Sequence, residues 1–290
     1  MSTRTILGRS DRAFDVSIYV VLVMVAVVGL YPFLHVLLVS VTAPETLIRR
    51  GTGFIWPGKM TLEAYREVFG SEAIRRALLM SIARTVVGTA VNLTLTTLTA
   101  FPLSREALPG RNVFLTLIVF TMLFSGGIIP TYLLVARLKL VDTIWALILP
   151  TAISPYYLII MKNYFEGLPE ELYEAASMEG ASELQILTRV ILPLSRPILA
   201  TLGLFYAVYH WNAFFDAMIF INDRSKYPLQ VLLREIVVQG NVQDMMGDRV
   251  IFGQNMKMAV IAVTTIPILV IYPLIQRHFA KGITLGAIKG

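Results

Sequence analysis

The sequence predicts an all-α integral membrane protein with six transmembrane helices, and three observations predict it. Only 15% of its 290 residues are Asp, Glu, Lys or Arg, against about 25% in soluble domains. The mean hydropathy is +0.69. Six stretches carry none of the four charged residue types: 16–44, 85–104, 112–136, 143–161, 197–215 and 258–276. Crossing a bilayer core takes about 20 mostly apolar residues at 1.5 Å per residue, and each stretch reaches that alone or with an apolar flank. The predicted spans are about 16–44, 77–104, 112–136, 143–161, 193–220 and 258–276, within one transmembrane domain of 1–290. Soluble, disordered and collagen-like classes are excluded by the same composition.

The first span follows Arg4, Arg9 and Arg12 and so imitates a secretory signal. A signal's apolar region is about 7–15 residues, whereas 29 uncharged residues follow here, and Pro44 directly after Val41-Thr42-Ala43 disfavours cleavage. It reads as an anchor. The external loop 45–76 holds turn signals at Gly51-Thr52-Gly53 and Trp56-Pro57-Gly58, then an amphipathic piece over 62–69. The second span contains a single Arg84. Several spans contain proline: Pro32 in the first, Pro130 after Gly126-Gly127 in the third, Pro150 and Pro155 in the fourth, Pro267 and Pro273 in the sixth. Each removes a helical hydrogen bond and kinks the rod, as packing curvature or as a hinge. In the external loop 221–257, Pro228–Val238 reads as a short surface helix.

Charge does not orient the bundle. Six spans place both termini on one side, which carries eleven Lys and Arg; the other carries thirteen, and Arg84 lies inside a span. The net charge of +6 is spread over both faces, so it does not point to nucleic acid. With no cysteine, disulfides and thiolate chemistry are absent.

The connection 163–192 between spans four and five contains six Glu and, over 163–188, no Lys or Arg. Pro169 fits the first helical position, Glu170 and Glu171 fill the positive first turn, and Gly180 supplies a stop. Ser182-Glu183-Leu184-Gln185 reads as a capping box opening a second helix, interrupted by Pro193 and Pro197. The product is a protruding elbow with a small tip of Ala175, Ala176, Ser177, Gly180 and Ala181. On its residues alone it reads equally as a solvated acidic loop.

Glu174-Ala175-Ala176-Ser177-Met178-Glu179-Gly180-Ala181, followed by Ile191-Leu192-Pro193 and Pro197, resembles the EAA loop of ABC-importer permeases. Glu179 stands where Asp is commonest, and Leu187 where an aromatic is frequent. Ala100-Phe101-Pro102-Leu103-Ser104-Arg105, Trp211-Asn212-x-Phe214 and the tail Phe279-x-Lys281-Gly282-x-x-x-Gly286-Ala287-x-Lys289-Gly290 are similar to carbohydrate permeases. The resemblance covers most of the chain and is weakest in the two long loops. It implies a MetI-like permease fold, in the subgroup that accompanies importers of oligosaccharides and polysaccharide fragments.

The resemblance further implies a bacterial cytoplasmic (inner) membrane protein with both termini cytoplasmic. Its implied partners are a second, commonly non-identical permease, two ABC ATPase subunits and an extracytoplasmic solute-binding protein. The chain has no G-x-x-x-x-G-K-[ST] phosphate cradle, so no cofactor is expected on it, and ATP and Mg belong to the ATPase subunits. By resemblance, Glu174, Ala175, Ala176, Met178, Gly180 and Ala181 couple the elbow to an ATPase, with Pro169, Pro193 and Pro197 shaping the loop. ATP-driven closure would move the elbow as a rigid body and turn the spans.

Sugars suit flat aromatic faces and hydroxyl-pairing amides, so Asn92, Tyr156, Tyr209, Trp211, Asn212 and Asp216 are candidates for the substrate path. Tyr132, Tyr157 and His210 share their setting. Packing, interfacial anchoring or, for Asp216, simple hydration at a span end account for them equally. A peptide or amino-acid ABC permease is the alternative within the class. An intramembrane enzyme has little support: His35, His210 and His278 lie in different segments, and H-E-x-x-H and G-x-S-x-G are absent.

Overall fold

The structure, a computed structural model, describes residues 9–53, 58–239 and 253–286, with side chains for 14–53, 58–237 and 253–270. The Trp56-Pro57 turn, residues 240–252 of the second long loop and the last four residues lie outside the described residues. Everything regular among the described residues is helical, apart from one antiparallel bridge, Thr42 to Met60.

Two helices are long and apolar enough to cross a membrane unaided: α1 (Arg9–Ser40), over Phe14–Ser40, and α4 (Glu72–Leu103). Between them lie the short α2 (Pro44–Arg50) and α3 (Glu63–Gly70). Over residues 14–34 α1 is exposed all round, as befits a rod facing lipid or another chain. Its end is anchored, with Val39, Ser40 and Thr42 buried and Ser40 Oγ 2.8 Å from Tyr65 Oη of α3.

Three predicted spans are interrupted rather than single rods. Residues 112–136 form α5 (Arg111–Leu123) and α6 (Ile128–Arg137) at 116°. Gly127 adopts φ +84° at the break, a region open to glycine, and Pro130 sits in the first turn of α6, where its missing N–H costs nothing. Residues 143–161 begin as 3-10 turns (Ile144–Leu147, Leu149–Thr151) before α7 (Pro155–Glu166), with a 56° bend. Pro150 and Pro155 start helical pieces there instead of kinking one. The fifth stretch is α11 (Arg196–Asn212), broken at Ala213–Phe214 from α12 (Phe215–Phe220).

The chain closes through α13 (Leu229–Arg234), a π turn (Glu235–Gln239) and α14 (Gln254–Gly286), which is predominantly apolar over Gln254–Val270. The surface helix expected over Pro228–Val238 is a correction. Leu229, Leu232 and Ile236 are buried against Ala64 and Val68 of α3, Ala77 of α4, and Met256 and Val260 of α14. The spacing of its apolar residues serves inward packing, and Ser81 accepts the freed Leu229 N–H at 2.8 Å.

The organising element is α4. Its buried face, Ile74, Ala77, Ser81, Arg84, Gly88, Asn92, Thr96 and Ala100, recurs every three or four residues and is mostly small or polar. Small residues let neighbouring helices approach closely in a membrane. At Gly88 an added Cβ would fall 2.5 Å from Nε2 of His210 on α11. A second core gathers Ala100, Phe101 and Leu103 of α4 with Leu158, Met161 and Phe165 of α7, Ile186, Leu187 and Ile191, and Leu202 of α11.

Candidate functional site

The elbow is built by local chemistry at both of its turns. Its first helix, α8 (Glu170–Met178), has Glu170 and Glu171 in the first turn. Pro169 caps it with φ −57° and ψ 128°, one position earlier than expected, because its extended ψ ends the incoming chain. At the other end Gly180 has φ +80°. Gly180 N–H donates to Ser177 O at 3.0 Å and Ala181 N–H to Ala176 O at 3.1 Å, the two-bond closure of a helix on a left-handed residue.

The next helix opens at once. Ser182 Oγ accepts from Gln185 N–H (3.4 Å), and Gln185 Oε1 accepts from Ser182 N–H (2.9 Å), so the capping box is formed as predicted. That helix, α9 (Glu183–Ile186), widens into a π turn over Leu187–Ile191 and ends in α10 (Leu192–Leu194). Pro193 has no N–H for the Arg189 carbonyl, and Leu192 N–H bonds Leu187 O instead. After Ser195 the chain turns by 85° into α11, with Pro197 in the first turn.

The two faces of α8 differ. Glu171, Glu174, Ala175, Met178 and Glu179 are exposed, Met178 at 89%. Tyr173, Ala176 and Ala181 are turned inward onto the α4–α7–α11 core. Ala176, expected as close-packing surface for a partner, is half-buried, and its small side chain lets α8 lie close to its own bundle. The candidate docking ridge is Glu174, Ala175 and Met178, ending on Gly180.

Tyr173 joins the elbow to the end of α4. Its ring lies 3.7 Å from the Arg105 guanidinium, which also reaches the Phe101 ring at 5.1 Å. Its hydroxyl donates to the Glu183 carboxylate. Burial lowers the Arg105 pKa against the opposing pull of Tyr173, Glu183 and Glu170; the hydrogen bond to Glu183 and then burial raise that of Tyr173. Nearby, Glu166 at the end of α7 pairs with Arg111 of α5 and with Lys162, the latter at 2.7 Å.

The substrate-path candidates do not form one cluster. Tyr209 and Asn212 are exposed one turn apart on α11 beside the break, and Tyr156 is exposed on α7. Trp211 is buried, its Nε1 donating to Thr264 O of α14 at 3.0 Å. Asn92 is fully buried and donates to Thr151 O at 3.0 Å. Both act as packing and bonding residues between helices.

Asp216 is an ion-pair partner, not a simply hydrated residue. Its carboxylate binds the fully buried Arg84, which also donates to Ala213 O at 3.0 Å and to Leu147 O at 3.5 Å. The guanidinium thus links α4 to a helix break and a 3-10 turn and supplies donors to two of their carbonyls. Arg84 was missed as a functional residue. The signal was present: one Arg in one span and one Asp in another cancel each other's desolvation when they pair.

A helical membrane bundle of broken rods, with a capped amphiphilic elbow, is the architecture of a transport permease. Residues 5–285 match the family described as "Binding-protein-dependent transport system inner membrane component", and the chain belongs to it, with a MetI-like permease fold. It is 47% identical over 285 residues (97% of this chain, 99% of the relative) to the polygalacturonan/rhamnogalacturonan transport system permease protein YtcP of Bacillus subtilis strain 168. Protein LplC of the same organism is 46% identical over 286 residues, covering 97% of each. Among solved structures, a chain from the crystal structure of a bacterial ABC transporter involved in the import of the acidic polysaccharide alginate superposes with a TM-score of 0.87 at 32% identity. That match covers 95% of this chain and 99% of the other.

Proposed function

We propose that this chain is the transmembrane permease subunit of an ATP-driven, binding-protein-dependent ABC importer for oligosaccharides or polysaccharide fragments. The similarity to YtcP over almost the full length of both chains carries the substrate class. The exposed ridge on α8 supports the coupling role, since it is stiffened by capping at both ends of the turn and joined to α4 through Tyr173. The finer assembly is one further permease of non-identical sequence, two ATPase subunits that bind ATP and Mg, and an extracytoplasmic solute-binding protein. The chain lies in the cytoplasmic membrane with six spans and both termini in the cytoplasm, so that the elbow faces the ATPases.

The test is uptake of labelled saccharide into proteoliposomes holding the full complex, with oligogalacturonates and neutral arabino-oligosaccharides as substrates. ATP-dependent accumulation of a saccharide and none of peptides is the expected result; peptide accumulation without saccharide uptake sinks the reading. Ala175→Arg, on the exposed face, is expected to lower uptake at least about tenfold, the loss of one docking contact worth about 1.4 kcal/mol. Ala176→Arg would instead force a charge into the core behind α8.

A further inference from the structure

We propose that Tyr173 and Arg105 form the joint through which movement of the elbow reaches α4, with Tyr173 a positioning residue that acts through Arg105. The proposal rests on the coupling role of the elbow. Tyr173 is the aromatic residue of α8, and its one side chain meets two other elements. Its ring covers the guanidinium just beyond the end of α4, and its hydroxyl holds Glu183, the first residue of the helix leading toward α11. The Leu103-Ser104-Arg105 ending is rigid: Ser104 Oγ donates to Phe101 O at 2.7 Å, and Arg111 Nε donates to Leu103 O at 2.9 Å.

From there α4 is an unbroken rod, whereas the α5–α6 stretch, the stretch leading into α7 and the α11–α12 stretch are broken. The 19 residue steps from Arg84 to Leu103 span roughly 29 Å at helical rise. At the far point Arg84 grips the α11–α12 break through Ala213 O and Asp216, beside the exposed Tyr209 and Asn212. A push on α8 therefore has a continuous route of stiff elements to that break. A cleft of about 520 Å³ opens beside the joint, lined by Phe101, Pro102, Arg105, Tyr173, Glu183 and Leu187, and gives the ring room to slide. Ring and cation tolerate such sliding because their attraction is a broad face contact, not a bond of fixed direction.

The experiment measures ATP hydrolysed per saccharide imported by the complete complex in proteoliposomes, for Tyr173→Ala, Tyr173→Phe, Arg105→Met and Arg105→Lys. Docking is read separately. The chain has no native cysteine, so Met178→Cys on the exposed ridge can be cross-linked to the neighbouring ATPase in each background. With cross-linking retained, Tyr173→Ala and Arg105→Met are expected to raise the ATP-to-saccharide ratio about tenfold, as loss of a half-buried cation–ring contact implies. Tyr173→Phe, which keeps the ring over the guanidinium, and Arg105→Lys, which keeps the charge, should stay within about threefold of the parent. A ratio unchanged in Tyr173→Ala and Arg105→Met, with cross-linking intact, overturns the joint. Equal damage from Tyr173→Phe and Tyr173→Ala overturns it also, since the ring contact would then carry nothing. Absence of the cross-link in the parent itself would instead remove the coupling role of the elbow.

Discussion

Among the described residues Arg84 and Asp216 form the most deeply buried ion pair, and neither residue has meaning alone. A guanidinium buried in the bundle would be costly if unpaired, and the carboxylate of α12 together with two backbone carbonyls offsets that cost. Removing one partner of a buried pair leaves an uncompensated charge and costs about 3–5 kcal/mol. Asp216→Leu is therefore expected to lower the thermal stability of the purified complex sharply, and Arg84→Met with Asp216→Leu to recover much of the loss. A double variant as unstable as the sum of the two single ones would show that the pair does not act as a unit. Gly180 is the other residue whose geometry decides its role. At φ +80° a β-branched side chain costs about 1–2 kcal/mol, so Gly180→Val should leave the protein inserted while uncoupling ATP hydrolysis from uptake.

At the scale of elements, the elbow is a pair of short helices that hold their angle because each end is capped within four residues, 179–182. Ser182→Ala deletes one half of the capping box and is expected to cost about 1 kcal/mol. Faster amide exchange confined to Gln185 and its neighbours would report it, and unchanged exchange would refute the cap's role. On the far side of the bundle, Asp142 pins the turn after α12. Its carboxylate accepts from Asn222 N–H at 2.6 Å and Asp223 N–H at 2.9 Å, and the bond from Asp223 is the main cause of its lowered pKa, followed by that from Asn222. Because the folded pKa lies below the unfolded one, this stabilisation is fully present above about pH 4. It is lost only as the pH falls further, through the depressed value. Exchange at residues 222–223 should stay slow from neutrality down to about pH 4 and rise below it, and Asp142→Asn should abolish the protection of the turn at all pH values.

For the whole molecule, the broken helices and the unbroken α4 divide the labour: the former can change their angles at existing breaks, while α4 contributes buried residues to both cores. In the proposed assembly the movement of this chain is driven by the ATPase subunits. Purified alone it should hydrolyse no ATP, lacking a phosphate cradle, and hydrolysis should follow the ATPase subunits through reconstitution. Catalysis by the isolated chain would contradict the permease reading at its base.

The apolar runs are written into the chain because a bilayer demands about 20 uncharged residues wherever it is crossed. The elbow was legible for a similar reason: its caps are local, with Pro169, Gly180 and Ser182 through Gln185 acting on neighbours within four residues, and the Glu-Ala-Ala pattern added its likeness. What stayed hidden was contact at long range. Ala176 looks like surface in the sequence and packs inward, Pro228–Val238 looks like a solvent-facing helix and fills a core, and the charges at 84 and 216 lie 132 positions apart. By itself the sequence determined that the protein is a helical membrane bundle with a capped elbow, since those properties follow from uncharged length and from bonds between near neighbours. Only the tertiary structure decided which face of the elbow is free, where the rods break in space and that Arg84 meets Asp216, because those depend on which helices come together.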